Sequence, residues 1–526
     1  MIFKTEKAAS RFPAPLVQTA KKLSARRNSA CITAILPDDF GVNCTTCVVM
    51  PVSKRLCSGV LLPIVVAACA SVPDAPARPE LPSMSGEFAN GDALSFSAEA
   101  VEMDWWRLFE DPVLSNLVDQ ALEENKDLSV AEANIEAARA ILARQGLLRT
   151  PSTSASAAGE LGRAARDGAD VEVTGNAQLA ASWEYDAFGR LTALIDSASF
   201  QVEQVEELQR DVAVTIAADT ALAYVDYRGN QVRLDVAQSN ADLQGESVEL
   251  LRVLFDNGRA TRLDLERAES QYRTTLASLP LLELNIQTAA TRLATLTGQT
   301  NIAAVSDRLA ASTGRALIPE PPETLTLGTP TDLIRRRPDI RATEADIARL
   351  LALGDAERAR LFPTLTFNAN ILALFTEDSE LDNSFGFGIG PAVRWEGPDL
   401  RRVRADIDIA DARTRVAFAA YERAVVEALG EIEIALIGYS QERSRRTDLE
   451  AAASSAARAL DLAQLRFDEG LDDFLDVIDA QRTLLDAQDR LEISRLATTR
   501  QAIITYRALG GIWLDAASTD PDVEGE

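Results

Sequence analysis

The spacing of apolar and polar residues changes several times along the chain, and the same series of changes occurs twice. Apolar residues three and four apart run from 114 towards 142 and again from 332 towards 361, which predicts a helix in each place. A period of two follows and is clearest at 364–375 and 384–395, where one face is apolar and the other is mostly Thr, Asn, Ser or Gly. This alternation predicts a pair of amphipathic strands. A weaker pair occurs in the first series, where the apolar positions of 171–183 share one face.

A long helical stretch follows the strands in each series and breaks at a glycine. In the first series it runs from about 189 to 255, and its apolar residues recur at spacings of 3, 7, 4, 7 and 7. Such a heptad-like seam is typical of helices packed side by side. The seam consists of Leu222, Val225, Val232, Val236, Leu243 and Leu250. The chain breaks at Gly258, or at Gly470 in the second series, and returns as a second helix, which predicts hairpins with glycine C-caps.

An internal repeat explains this recurrence. When the sequence is aligned with itself at an offset of 212 residues, rare residues coincide without gaps. The coincident pairs include Trp183-Glu184 with Trp395-Glu396, Tyr227 with Tyr439, Phe255-Asp256 with Phe467-Asp468, and Gly298 with Gly510. We therefore predict two copies of one unit, at 104–300 and 331–513, joined by a Pro-rich connector at 301–330. An acidic tail follows at 514–526.

Composition excludes several classes of function. The 526 residues include no histidine, which excludes Ser-His-Asp and Cys-His catalysis and any His-based metal site. All five cysteines precede residue 70, so the rest of the sequence has no disulfide framework and no Cys-ligated metal. With 53 basic and 80 acidic residues the formal net charge is −27, which argues against nucleic acid as a partner. We expect neither an enzyme nor a cofactor.

The N-terminal region has the composition of a targeting segment. A basic stretch and a short apolar run at 50–68 match a secretory signal peptide, and Cys69 lies where a bacterial lipobox carries its acylated cysteine. A chance cysteine after a plain signal peptide is the alternative. Residues 1–49 have no place upstream of such a signal, so we expect an over-extended start and Met50 as the true first residue. Residues 69–103, rich in Pro, Ser and Ala, are expected to link the anchor to the folded body.

Several motifs taken together resemble the TolC/OprM family of outer-membrane efflux proteins, in its NodT-like lipoprotein branch. The motifs are Trp105-Trp106-x-x-Phe109-x-Asp111-Pro112, Asn125-x-Asp127-Leu128, Trp183-Glu184-x-Asp186-x-Phe188-Gly189-Arg190, Arg336-Arg337-Pro338-Asp339-Ile340, Phe362-Pro363 and the two Phe-Asp-x-Gly tips. The resemblance covers nearly all of residues 104–513. The chain departs from the family at Arg401, where the second long helix begins and where the family usually has a glycine, as at Gly189.

The resemblance implies an α+β fold, mainly α, in which long antiparallel helical hairpins form an α-barrel. Each protomer of a homotrimer would contribute four strands to one twelve-stranded transmembrane β-barrel. The residues support this independently, because four strands cannot close a barrel and an open edge in lipid leaves backbone groups unpaired. Phe367, Phe385, Phe387 and Trp395 are then expected to face lipid, with ordinary sheet core as the alternative.

By the same resemblance, the protein is the exit duct of a tripartite efflux pump in the outer membrane of a Gram-negative bacterium. Its expected partners are a periplasmic adaptor, an inner-membrane pump of the resistance-nodulation-division (RND) class and, through acylated Cys69, outer-membrane lipid. Its cargo would be small molecules such as drugs or toxic compounds. Two alternatives remain open, namely the outer duct of a type I protein-secretion system and a structural periplasmic lipoprotein without a pore.

The resemblance also assigns roles at the hairpin tips. Adaptor contacts are expected around Gly258-Arg259 and Gly470-Leu471, although the glycines also serve as helix caps.

The periplasmic aperture is expected nearby. Asp476 and Asp479 would ring it, and three-fold symmetry would bring like charges together and favour cations. A solvated helix face is the alternative for both aspartates. Asp264, which is equivalent to Asp476, is a candidate for polar contacts between tips that hold the aperture shut.

Overall fold

A computed structural model describes residues 75–76, 88–91, 96–97, 104–163, 171–312, 317–376, 385–397 and 399–511. The predicted extension 1–49, the signal peptide 50–68, Cys69 and the tail 514–526 lie outside these residues, as does most of the linker 69–103. Helices make up most of the described chain and confirm the prediction of a mainly α fold. None of the described helices is long and apolar enough to cross a bilayer.

The first repeat contains the predicted elements in the predicted order. A short strand, β1 (Phe96–Ser97), precedes it. The repeat comprises α1 (Pro112–Glu124), α2 (Lys126–Gly146), β2 (Ser152–Arg163), β3 (Val171–Tyr185), α3 (Arg190–Asp256) and α4 (Arg262–Leu296). β3 and the long hairpin of α3 and α4 lie where the sequence pattern predicts them, whereas the pattern gave no position for β2.

The second repeat follows a connector that is itself partly structured. The connector contains α5 (Ile302–Ser312) and β4 (Leu325–Thr326), and β4 pairs in parallel with β1. The repeat comprises α6 (Pro330–Arg336), α7 (Pro338–Ala359), β5 (Thr364–Thr376), β6 (Phe385–Arg394), α8 (Arg401–Asp468) and α9 (Phe474–Ala508). Both copies therefore contain the same series of elements.

One expectation is wrong in both repeats, because the helix before the strands is not continuous. The side-chain oxygen of Asn125 accepts hydrogen bonds from the amides of Asp127 and Leu128, at 2.8 and 3.2 Å. It thereby caps the start of α2 instead of continuing α1. The equivalent break in the second repeat falls at Arg337, immediately before Pro338, where helical geometry is disfavoured.

The two breaks make the same tertiary contact with different side chains. Nδ2 of Asn125 donates to the carbonyl oxygen of Leu296 at 2.8 Å. At the equivalent position, Nη1 of Arg337 donates to the carbonyl oxygen of Ala508 at 2.9 Å. Each repeat is therefore closed by a hydrogen bond between its helix break and the end of its returning helix.

The long helices form one open layer. Next to the strands, α3 packs between α2 and α7, and α8 packs on α7. Towards the hairpin tips, α3 packs between α4 and α9, and α8 packs on α9. At 1.5 Å per residue, the 67 residues of α3 and the 68 residues of α8 extend for about 100 Å. The layer has two open edges, formed by α2 and α4 on one side and by α8 on the other.

A four-stranded antiparallel sheet, in the order β2-β3-β5-β6, continues this layer at one end. Its edges coincide with those of the helices, because β2 follows α2 and β6 precedes α8. The register pairs Trp183 with Phe367 and Phe387 with Ile371, so the apolar positions of neighbouring strands share one face. The other face carries mainly Ser, Thr, Asn, Gln and Gly.

The largest core lies where α1, the two long helices and the end of α9 meet. Trp105 is buried there and stacks on Tyr506, with ring centroids 5.4 Å apart. Tyr224 is also buried and donates to the carboxylate of Asp111 at 2.9 Å. Because Asp111 is the N-cap of α1, this bond ties α1 to the trunk.

The predicted heptad seam of α3 is only partly buried. Val225 is fully buried, but Leu243 and Leu250 are 41% and 44% exposed. The prediction is therefore wrong in the lower trunk. There α3 packs between α4 and α9, and the buried stripe moves to the neighbouring residues Gln244 and Leu251.

Candidate transport duct: sheet, trunk and hairpin tips

Both faces of the four-stranded sheet are open in the protomer. On the apolar face Phe367, Phe385 and Phe387 have 43%, 65% and 81% of their surface exposed, and Ile389 has 83%. Soluble monomers rarely leave a large contiguous apolar patch uncovered. The structure therefore places three of the predicted lipid-facing residues on one exposed apolar face, opposite a polar face.

Trp395 lies just beyond the strand in which it was expected, because β6 ends at Arg394. Its indole N–H donates to the carbonyl oxygen of Leu361 at 3.0 Å. Trp183 makes the equivalent bond to Arg149, also at 3.0 Å. Each tryptophan fixes the strand pair of its repeat to the end of the preceding helical segment. An amphipathic ring with a satisfied N–H is typical of membrane–water interfaces.

The strand-to-helix turns differ between the repeats. In the first, Gly189 has a φ of +77°, and Asp186 accepts hydrogen bonds from the amides of Leu191 and Thr192 at the start of α3. In the second, Arg401 takes the position of Gly189 and is itself the first residue of α8, and its amide donates to the carboxylate of Asp399 at 3.2 Å. The departure from the family at Arg401 thus corresponds to a different turn.

Both hairpin tips end their first helix in the same way. The amides of Gly258 (φ +70°) and Arg259 donate to carbonyl groups in the last turn of α3, at 2.9 and 2.8 Å, which is a Schellman motif. Gly470 (φ +72°) and Leu471 make the equivalent bonds at 2.8 and 2.9 Å. The prediction that these glycines cap helices is confirmed, and their contact with an adaptor stays a prediction.

A close ion pair spans the second tip. Arg466, in the last turn of α8, binds both carboxylate oxygens of Asp472, with Nη2 and Oδ1 2.8 Å apart. This hydrogen-bonded pairing lowers the pKa of Asp472 and raises the pKa of Arg466. The equivalent residues of the first tip are Leu254 and Ala260, whose side chains cannot form an ion pair.

A capping box stabilises the first tip instead. Oγ1 of Thr261 accepts from the amide of Asp264 at 3.2 Å. The carboxylate of Asp264 accepts from the amide and the hydroxyl of Thr261, at 3.2 and 2.5 Å. The structure therefore places Asp264 as a cap of its own helix. Its contact with another tip stays a prediction.

The two tips differ in charge. Three arginines balance three acidic residues over 254–267, whereas the equivalent residues 466–479 contain one arginine and six acidic residues, a net charge of −5. Asp476 and Asp479 are exposed in the first two turns of α9, at this acidic tip. Asp479 pairs with Arg482 at 2.6 Å, and its counterpart in the first repeat is Arg267. The two repeats thus present different surfaces at the end of the trunk.

Two contacts in the middle of the trunk do not follow from the sequence pattern. Arg337 binds both oxygens of Asp339, at 3.0 and 2.7 Å, and one oxygen of Glu431 at 2.8 Å. Glu433 accepts a hydrogen bond from the amide of Ala89 at 2.7 Å, across 344 residues of sequence. The arginine run at 335–337 signals the first contact, but no local motif marks the second.

These features define a class of protein in which a repeated unit of two strands and a long helical hairpin builds a trunk that carries an open amphipathic sheet. Comparison with known proteins supplies the family. The chain belongs to the outer membrane efflux protein family, whose model matches residues 117–299 and 329–511. There is one match for each repeat, which confirms the predicted internal duplication.

Individual relatives are similar over nearly their whole length. The toluene efflux pump outer membrane protein TtgF of Pseudomonas putida is 30% identical over 489 residues, which cover 88% of this chain and 98% of TtgF. The outer membrane protein OprJ of Pseudomonas aeruginosa is 31% identical over 476 residues, covering 88% of this chain and 96% of OprJ. The solved structure of the outer-membrane channel OprN matches with a TM-score of 0.75 and 31% identity, over 85% of this chain and 100% of OprN.

Proposed function

We propose that the protein is the outer-membrane exit duct of a tripartite efflux pump and exports small molecules such as drugs or toxic compounds. The observation that carries the proposal is the open amphipathic sheet at the end of a trunk about 100 Å long. Strands of 10 to 15 residues are long enough to cross a bilayer when tilted. The similarity to TtgF, a toluene efflux pump protein, favours efflux over protein secretion.

Closure of the sheet requires further copies of the chain. β2 and β6 are edge strands, and in lipid their outward backbone groups find partners only if the sheet closes into a barrel. The edges of the helical layer coincide with those of the sheet. A neighbouring copy on one side therefore covers the strand edge and the helix edge of that side together. Head-to-tail contacts repeated around an axis give a closed ring. A trimer would then have a twelve-stranded barrel above a tunnel of helices.

The open edge of α8 has the apolar surface that such a contact needs. Ile409, Val416, Val426 and Ile437 are exposed in the protomer, at intervals of 7, 10 and 11 residues. These intervals follow the a and d positions of a heptad, which form the seam between side-by-side helices. The opposite edge exposes Val130, Ile141, Leu281 and Leu284. A second copy of the chain is the occupant that we propose for the α8 edge.

The two faces of the closed sheet would have different roles. Phe367, Phe385 and Phe387 would face lipid, with Trp395 at the boundary of the apolar band. The polar face, on which Ser182 donates to Asn368 at 2.8 Å, would line a water-filled lumen.

The position of the N-terminal segment is compatible with an acylated Cys69. The bond from Ala89 to Glu433 holds this segment on α8, 32 residues after the helix begins and about 48 Å from the sheet. The 20 residues from Cys69 to Ala89 can extend for about 65 Å. That length allows acyl chains on Cys69 to reach the membrane at the base of the sheet, and several chains would anchor the protein firmly.

The hairpin tips would lie in the periplasm and dock the adaptor, which connects the duct to an RND pump in the inner membrane. Gly258-Arg259 and Gly470-Leu471 are exposed at the end of the trunk farthest from the sheet. Asp476 and Asp479 would ring the aperture and favour cations over anions.

Opening of the aperture would move the second hairpin against the first. In the lower trunk, polar side chains join α9 to α3. Arg233 pairs with Asp489 at 2.7 Å, and Asn240 donates to Gln488 at 2.9 Å. Polar contacts of this kind exchange for contacts with water at a small net cost, so the main resistance to opening would come from the apolar cluster that includes Leu251 and Val477.

Cysteine cross-linking tests whether neighbouring copies close the sheet. Because no cysteine follows Cys69, Ala157→Cys on β2 and Ile389→Cys on β6 would introduce the only thiols of the two repeats. Oxidation in the membrane should give bands of two and three chain masses. Phe385→Cys and Phe387→Cys, each combined with Ala157→Cys, sample other registers between the copies.

The matched control places both cysteines within one sheet. Leu179 and Ile371 are partners in the β3–β5 register, so Leu179→Cys with Ile371→Cys should form a disulfide inside a single chain. If every β2–β6 pair gives monomers only while this control becomes oxidised, the proposed closure is wrong.

A further inference from the structure

We propose that three exposed arginines at the base of the sheet bind the anionic headgroups of glycerophospholipids in the periplasmic leaflet. The inference rests on the proposed function, which places this junction at the membrane surface. Arg401, Arg402 and Arg404 lie in the first turn of α8 and are exposed, with 89% of the Arg401 side chain accessible. They form a cationic patch on a protein with a net charge of −27.

The glutamates at equivalent positions of the two repeats bind different arginines, and this difference explains why Arg402 is available to bind an external anion. In the first repeat, Glu184 holds Arg190 through two hydrogen bonds of 3.0 and 2.7 Å. In the second repeat, the equivalent glutamate, Glu396, is bound by Arg360 at 3.2 Å instead. Arg402, the counterpart of Arg190, forms no ion pair with any residue that the structure describes.

The other two arginines replace uncharged residues, because Arg401 and Arg404 correspond to Gly189 and Thr192. Arg401 binds both carboxylate oxygens of Asp399, at 2.8 and 2.7 Å, but both side chains are largely exposed, so solvent and salt screen the pair. Arg404 forms no ion pair within the described ranges. Residues 399–404 therefore have a net charge of +2.

Aromatic residues at the same level mark where the membrane surface would lie. Tyr185 ends β3 on the apolar face, opposite Leu365, and is exposed. Trp395 follows β6, and Phe188 is also exposed. Tyrosine and tryptophan prefer the headgroup region of a bilayer. Arginines next to such a belt are well placed to bind lipid phosphate, which a guanidinium contacts through two N–H groups.

The position of the patch within its helix favours a bound anion. The carboxylate of Asp399 accepts from the first amide of α8, that of Arg401, at 3.2 Å, and the N-terminal end of a helix carries partial positive charge. Three arginines in that turn therefore face an unfavourable field. A phosphate group there would interact favourably with the arginines and with the backbone N–H groups of Arg402 and Val403 at once.

Native mass spectrometry of the detergent-solubilised protein tests the proposal. Wild type is mixed with equal amounts of phosphatidylglycerol and phosphatidylcholine, and we expect at least a fivefold preference for phosphatidylglycerol. The Arg401→Gln, Arg402→Gln, Arg404→Gln triple variant should lose this preference. A control with the same change of charge, Arg252→Gln, Arg273→Gln, Arg490→Gln on exposed trunk positions, should keep it.

Several outcomes would overturn the proposal. The first is that wild type shows no preference for phosphatidylglycerol. The second is that the control variant loses the preference as much as the triple variant does. The third is that an equal concentration of inorganic phosphate displaces phosphatidylglycerol. A triple variant that changes the anion selectivity of conductance but not lipid retention would place the arginines in the lumen instead. If the triple variant fails to assemble, Arg402→Gln alone should still reduce the preference. Assembly and conductance are measured separately from lipid binding. Failure of the duct proposal can therefore be distinguished from failure of the lipid-binding proposal.

Discussion

Arg466 and Asp472 form a two-point ion pair across the tip of the second hairpin, where the first hairpin has Leu254 and Ala260. Both tips share the Schellman motif, so the repeats keep one backbone turn and stabilise it in different ways. The single arginine of residues 466–479 is used to hold this turn. Of the other acidic residues in this stretch, Asp479 pairs with Arg482, which lies outside it.

Asp472→Asn should therefore loosen the second tip specifically. The carboxylate loses its charged contact with Arg466, so amide hydrogen exchange at 471–474 should become faster, while exchange at the first tip stays unchanged. Asp468→Asn is the matched control, because it removes the same charge from an exposed residue of the same tip that is not part of this ion pair. Equal acceleration in both variants would show that the ion pair does not hold the turn.

Thr261→Ala should destabilise the first turn of α4. The variant loses the acceptor for the amide of Asp264 and one donor to its carboxylate, and loss of an N-cap costs about 1 kcal/mol. Exchange of the amides at 262–265 should become roughly fivefold faster. Thr261→Ser, which keeps the hydroxyl, should restore the wild-type rate. Unchanged exchange in Thr261→Ala would contradict the capping assignment of Asp264.

Gly298→Ala and Gly258→Ala compare two glycines with positive φ, of +66° and +70°. A Cβ at 298 would lie 2.4 Å from the carbonyl oxygen of Glu124, whereas a Cβ at 258 would meet nothing within 4 Å. Gly258→Ala should cost about 1 kcal/mol through backbone strain alone. Gly298→Ala should cost about 3 kcal/mol or more, since the backbone must also shift. Equal shifts in the thermal midpoint would contradict the close contact at the helix break.

Asp211 should make stability depend on pH. Burial raises its pKa, repulsion from Asp339 and Glu431 raises it further, and Arg337 partly offsets this. A carboxyl group with a higher pKa in the folded state favours folding less as pH rises from the unfolded to the folded pKa. Asp211→Asn should therefore raise the thermal midpoint at about pH 7, with a gain that shrinks towards about pH 3. An equal gain at both pH values would contradict this assignment.

The periodic parts of the fold are predictable from the sequence because each depends on burying one face. The period of two predicts the apolar face of β5 and β6, and the repeat offset predicts the positions of both hairpins. The apolar pattern continues through the helix breaks at Asn125 and Arg337 and does not predict them. The capping side chain of Asn125 decides the first break, and Pro338, which follows Arg337, decides the second. The shifted seam at Leu243 has a similar origin, because the packing of α3 between two neighbours decides which stripe is buried.

In the candidate site, too, local sequence patterns predict some features and tertiary contacts decide the others. Gly258 and Gly470 are predictable because the glycine needed for a left-handed C-cap marks a tip in the sequence. The contact between Ala89 and Glu433 cannot be predicted from the sequence, because it joins distant segments without a local motif. The exchange of partners that leaves Arg402 without an ion pair among the described residues depends on Arg360, which lies in a different segment of the chain.

Conductance of the purified trimer in planar lipid bilayers tests the central claim most directly. Wild type should produce discrete, cation-selective steps, and the Asp476→Ala, Asp479→Ala double variant should change their size or selectivity. The Asp448→Ala, Asp461→Ala double variant, which removes the same charge from exposed positions on α8, should behave as wild type. Well-folded trimers that give no conductance, in wild type and in the aperture variant alike, would contradict the assignment of this protein as an export duct.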